Sequence, residues 1–171
     1  MSVGKEVHSY TAQRVVLSSA KPFAATLAAL DTAVNRAGPH VKDVLAGAKS
    51  KAAIDAGMAA LTDSGARNFV FFSAEFHSQW LSTYTGEHLD EVMLYTFGNP
   101  IFAKGLMLKD PVTAIGVPPR IVILGTPAGG TRIQYDRPSS WFVENPSPEL
   151  TAALQGLDGK IEELLTGALT V

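Results

Sequence analysis

The segment LYTFGNPIFAKGLMLKDPVTAIGVPPRIVIL, Leu94 to Leu124, holds the corner on which the reading of this fold turns. An apolar run stops at Gly98-Asn99-Pro100, and a helix-like stretch follows. Asn99 precedes proline, which drives it out of the α region toward extended geometry. That is the geometry of a helix N-cap, where the Asn side-chain oxygen accepts from an N–H of the first turn. Pro100 suits the first helical position because its missing N–H needs no partner there. Such a helix end also directs free N–H groups outward, where an anion or carbonyl can bind. A phosphate loop, however, needs more glycines or a Gly-Lys-Ser/Thr run after the turn. Lys104 lies on the following helix and no such run is present. The residues therefore favour a capped strand-to-helix corner over a ligand cradle.

Outward from this corner, Leu89 to Phe97 reads as the strand that enters it. Arg120 to Leu124 and Thr131 to Tyr135 read as a hairpin joined through Pro127-Ala128-Gly129-Gly130. Upstream, Asn68 to Phe76 (NFVFFSAEF) reads as a strand, apolar on both faces at its start and so expected at a central, doubly covered position. Ser9 to Ser18 reads as the first strand. Pro22 then opens a helix with Phe23, Leu27, Leu30 and Val34 at helical spacing, stopped by Gly38-Pro39. The Ala-rich tract from Val41 to Gly65 reads as one or two helices split near Gly47. Ser147, Pro148 and Glu149 start a last helix whose Leu150, Leu154, Leu157, Ile161, Leu164 and Leu165 form one apolar stripe. No internal repeat or low-complexity linker interrupts the chain. The order β-α-α-β-β-α-β-β-α predicts a single α+β domain over residues 1–171 with a mostly antiparallel sheet.

Taken together, these residues resemble the domain-of-unknown-function family numbered 302. Its pattern is an apolar strand, Gly-Asn-Pro, a helix with Leu-Met, Asp/Asn-Pro, then Leu-Pro and an apolar strand. The matching positions are Gly98, Asn99, Pro100, Leu106, Met107, Asp110, Pro111 and Pro118, followed by Ile121 to Ile123. Thr131 to Pro138 (TRIQYDRP) is similar to the family's closing strand, and Val15 to Gly38 fits its start. The family's Phe-x-x-Ile-Asp-His run is similar to Phe72 to His77, with the histidine kept and Phe76 in place of the aspartate. Departures are an Ala-rich helical insertion at about residues 41–66 and a C-terminal helix at about residues 147–169, outside a core of residues 9–138. The resemblance implies a curved, mostly antiparallel sheet with helices packed on one face, of the TATA-binding-protein-like kind. It also implies a tendency to homodimerise, and it carries no established activity.

Composition narrows the partners. The chain has 171 residues, 46% hydrophobic and 18% charged, with a formal net charge of −2. That describes an ordinary globular chain with enough length for a sizeable core. No Lys/Arg cluster suggests nucleic acid or an anionic membrane as partner. The absence of cysteine removes disulfides, thiolate metal sites and cysteine nucleophiles. No apolar run approaches the roughly 18 residues of a membrane span, and MSVGKEVHSY is charged where a signal peptide is apolar. A cytoplasmic location is expected, and no cofactor.

One polar constellation stands out. If Asn68 to His77 is extended throughout, Ser73, Glu75 and His77 share a face. A carboxylate beside an imidazole fixes its tautomer and raises its pKa, a usable acid/base pair. The plainer alternatives are a strand end emerging into solvent, or His77 as cap of a helix beginning at Ser78. His8, His40 and His88 lack metal-ligand spacing. Tyr135 and its neighbours Asp136-Arg137-Pro138 suggest a charged pair at a cleft or simply a turn. Leu106-Met107 reads as core packing. Trp80 and Trp141, with Tyr84 and Phe142, read as pocket or interface aromatics. The resulting expectation is a small-molecule pocket between sheet and helices. His77 and Glu75 would be the catalytic pair, with Ser73, Asn99, Trp80 and Tyr135 binding the ligand, for cofactor-free isomerase- or lyase-type proton transfer. The alternative is a non-enzymatic homodimeric binding or assembly module with His77 structural.

Overall fold

The computed structural model describes residues 1–170, and its elements follow the sequence pattern with three instructive exceptions. Five strands form one sheet: β1 (Arg14–Ser19), β2 (Val70–Phe76), β3 (Val92–Gly98), β4 (Arg120–Gly125) and β5 (Thr131–Asp136). Their spatial order is β1-β5-β4-β3-β2, and every neighbouring pair is antiparallel. Six α-helices accompany them: α1 (Phe23–Ala33), α2 (Val41–Gly47), α3 (Lys51–Leu61), α4 (His77–Thr85), α5 (Pro100–Met107) and α6 (Pro148–Leu169). The Ala-rich tract is thus two helices, parted at Ala48 to Ser50, where Ser50 caps α3 by accepting from the Ala53 N–H.

Alternation on the central strands sets the main core. Met93, Tyr95 and Phe97 of β3, Ile121 and Ile123 of β4, and Ile133 and Tyr135 of β5 are buried together. Against them pack Phe23, Leu30 and Val34 from α1 and its flank, and Leu150, Leu154, Leu157, Ile161 and Leu165 from α6. The opposite face carries a cross-strand row, Val16–Gln134–Val122–Leu94–Glu75, whose members are half-buried or exposed. A second cluster, Val41, Met58, Leu61 and Val70, joins α2 and α3 to the edge of the sheet.

The first exception is β1, which begins at Arg14 rather than Ser9. Its partner β5 ends at Asp136, which pairs with Arg14, so earlier residues have almost no strand to bond. The second is β2, which is an edge strand and not a central one. Its two-sided apolar character comes from the second cluster: Phe71 and Ala74 pack on the main core, whereas Phe72 packs on the cluster with α2 and α3. A register shift between Phe71 and Ser73 makes this division possible. The outer edge of β2 is served by other segments, since the Phe71 N–H donates to Val34 O (2.9 Å) and His40 Nε2 donates to Phe72 O (2.9 Å). Edge strands are commonly blunted in such ways. The third exception is α4, absent from the expected element order but weighed as a helix beginning at Ser78 with His77 as its cap; it starts one residue earlier, with Phe76 at the N-cap position, and ends at Gly86 in the left-handed conformation glycine favours.

Strands β4 and β5 diverge at one end. Their ladder runs from Gly125↔Thr131 to Val122↔Gln134 and stops there. Arg120 and Ile121 remain paired to β3, and Tyr135 and Asp136 remain paired to β1. The sheet therefore forks, and the chain from Pro138 to Phe142 folds against α6 beside the fork.

Candidate functional site

The Gly98-Asn99-Pro100 corner is built as its residues dictate. Asn99 has φ −141° and ψ 112°, and its Oδ1 accepts from the Ile101 N–H at 2.9 Å. Its Nδ2 donates to Asn68 O at 2.9 Å, tying α5 to the start of β2. Gly98 is required by close approach: a Cβ there would lie 2.9 Å from Pro118 Cβ and 3.3 Å from Phe72 Cε2. The same device recurs at Asp110-Pro111, where Asp110 Oδ1 accepts from the Val112 N–H (2.9 Å), and at Ser147-Pro148, where Ser147 Oγ accepts from the Leu150 N–H.

Beside this corner lies an apolar cleft of about 230 Å³. Its walls include Phe69 and Phe72 from the β2 side, Phe102 and Leu106 from α5, Leu157 from α6, and Pro118. Leu45 of α2 and the exposed end of α5 at Met107 reach its rim. Asn99 is the one lining residue with a polar side chain, and both ends of its amide are already bonded. No lining side chain titrates. The cleft is therefore lined by apolar side chains and offers no general acid or base.

The expected catalytic pair is placed elsewhere. Ser73 pairs with Thr96 and Glu75 with Leu94, so these two do share the open face. His77 does not continue that face, because β2 ends at Phe76 and His77 is the first residue of α4. Its Nδ1 accepts from Trp80 Nε1 at 3.2 Å, one helical turn away, and the two rings meet edge to face. That bond leaves the proton of the neutral ring on Nε2. Among the described residues no hydrogen bond joins Glu75 to His77. Asn99 sits at the opposite end of β2, which at ~3.3 Å per residue separates it from His77 by roughly 20 Å. Tyr135 lies on the core face of β5, and Trp80 is 55% exposed on α4. The structure thus keeps Asn99 at the cleft and distributes Ser73, Glu75, His77, Trp80 and Tyr135 over other regions.

Two further polar groups are internal. The buried Tyr95 hydroxyl donates to Asp31 Oδ1 at 2.7 Å, and Arg36 holds both oxygens of the same carboxylate. Burial, reinforced by Asp31, raises the Tyr95 phenol far above its ordinary range. Asp158 on α6 accepts from the Ser139 N–H (3.1 Å) and hydroxyl, and burial holds its carboxyl above the usual range. Both arrangements tie distant segments together. No group of three or more His, Cys, Asp or Glu side chains among the described residues could hold a metal ion. No helix among them is long and apolar enough to cross a membrane.

The cleft itself was not visible in the sequence, which supplied only Asn99 and, as expected core, Leu106-Met107. Its phenylalanines come from two segments that no local spacing connects. Comparison with known proteins agrees with the fold. The family model described as "Domain of unknown function DUF302" matches residues 47–167. The crystal structure of an uncharacterized conserved DUF302 protein from Bacillus stearothermophilus superposes with a TM-score of 0.63 at 11% identity. That superposition covers 91% of this chain and 97% of the other. No curated protein matches the chain.

Proposed function

Because the chain belongs to the DUF302 family, which is defined without an activity, we propose a function from its own residues: it binds a small apolar organic molecule in the cleft between α5, α6 and the β2 edge. The observation that carries this reading is the cleft's lining. Three phenylalanines, Leu106, Leu157 and Pro118 enclose about 230 Å³ with no free polar side chain. The volume lies below the ~300–1,000 Å³ common for drug-sized ligands, so a compact ring system or short acyl group suits it. Binding rather than proton transfer is the activity, since the imidazole of His77 lies at the far end of β2. A neutral fluorescent probe, N-phenyl-1-naphthylamine, tests this directly. The parent protein should bind it, and Ala103→Phe, which fills the cleft, should weaken binding by about tenfold. His77→Gln should leave binding unchanged. Equal affinity in parent and Ala103→Phe would sink the proposal.

A homodimer is a second reading, favoured by the open face of the sheet. Val16 is 51% exposed there, and Val122 and Leu94 continue the row across β4 and β3. Gln134 of β5 stands between Val16 and Val122 in this row, so the face offers apolar side chains around one amide, a mixture that suits contact between two copies. Light scattering should return twice the monomer mass for the parent and the monomer mass for Val16→Lys; a monomeric parent removes this reading.

A further inference from the structure

We propose that the fork between β4 and β5 is a separate binding site that takes the carboxylate of a small organic acid. The fork encloses about 210 Å³ and is walled by residues of both diverging strands together with Gly116, Pro119, Trp141 and Phe142. Three hydrogen-bond donors border this space. The Trp141 Nε1 is buried and has no partner among the described residues. Tyr135 is 5% exposed as a residue, and its hydroxyl, which makes no hydrogen bond among the described residues, is not sealed from solvent as the Trp141 N–H is. Arg120 lines the fork and, like Arg132, has no acidic partner among the described residues, whereas Arg14, Arg36, Arg67 and Arg137 each have one. A buried donor left unbonded is costly, so a ligand that brings acceptor oxygens gains more here than at the surface.

The acidic groups nearby are already engaged. Asp136 also lines the fork, but Arg14 holds its carboxylate through two nitrogens. On the α6 side, Asp158 accepts from Ser139 and Glu162 lies 3.6 Å from Arg137. Burial and the Glu162 charge push the Tyr135 phenol up to about 12, which keeps its proton in place as a donor. The net arrangement is one unpaired guanidinium with two neutral donors, the pattern that recognises a carboxylate through charge-assisted bonds. Leu94, Ile121, Phe142 and Ile161 supply apolar walls for the rest of the molecule. The chain around Pro119 divides the fork from the apolar cleft.

Benzoate is a suitable probe, because the chain has two tryptophans and hence two indole N–H resonances. The Trp80 N–H is already donated to His77, so its signal serves as an internal control. Titration of the full chain with benzoate should move the Trp141 resonance saturably and leave that of Trp80 in place. Arg120→Gln, at an exposed position that the fold tolerates, should weaken the response by about tenfold. Benzamide, isosteric but uncharged, should bind as weakly as benzoate binds to that variant. Ala103→Phe should leave the benzoate response intact, marking the site as separate from the apolar cleft. A Trp141 signal that benzoate does not move, an Arg120→Gln response equal to the parent's, equal binding of benzamide, or loss of the response in Ala103→Phe would each overturn the proposal.

Discussion

At the scale of single residues, Asn99 does two tasks with one amide, capping α5 and holding Asn68 O. Its replacement by Ala loses both bonds and should lower unfolding free energy by about 1–2 kcal/mol in a denaturant titration. Gly116 is more exacting: a Cβ there would meet the Phe142 ring at 2.2 Å. Gly116→Ala should therefore cost about 1–3 kcal/mol through overpacking. Asp158 gives a pH signature. Its carboxyl is raised by burial, so the folded chain holds that proton more tightly than the unfolded chain does. The associated stability is present at low pH and is lost as pH rises from the ordinary Asp range through the raised value. Asp158→Asn removes that loss. Its unfolding free energy relative to the parent should be more favourable at pH 7 than at pH 3; a constant difference would contradict the assignment. The Asn99 cap was legible in the sequence because adjacent residues determine it. The separation of His77 from Glu75 was not, because it depends on where β2 stops and α4 starts.

At the scale of elements, β2 shows why periodicity reads strands better than it reads their places. The pattern of Phe69 to Phe72 reports cover on two sides, and that cover exists. Its source is a helical layer at the sheet edge rather than flanking strands, a distinction that requires α2 and α3 to be docked first. His40 is central to this docking. Its Nε2 donates to Phe72 O while its Nδ1 accepts from the Lys42 N–H (3.2 Å) at the start of α2. His40→Ala should destabilise the chain by about 1–2 kcal/mol. Amide exchange should rise first in α2 and β2; exchange that rises uniformly would contradict an edge role. By contrast, α6 and the β4–β5 hairpin were legible because their stripes and turn residues lie within one segment.

At the scale of the whole molecule, the sequence motif at residues 98–118 led to the right family and to an antiparallel α+β fold, because its two capped corners, at Asn99-Pro100 and Asp110-Pro111, fix how strand and helix follow one another. The cleft was beyond it. Its lining is assembled from α2, β2, α5, α6 and the chain around Pro118, which meet only when the sheet and both helical layers are in place. That assembly, apolar but for the fully bonded amide of Asn99 and without titrating groups, is what makes binding the central reading. Methionine methyl signals offer the most direct test, since the four methionines sit in different surroundings and Met107 alone lines the cleft. On addition of N-phenyl-1-naphthylamine to protein labelled at the methionine methyls, the Met107 resonance should shift saturably while those of Met58 and Met93, buried elsewhere, stay fixed. A Met107 signal that stays in place while the probe binds would contradict the cleft as the site of binding.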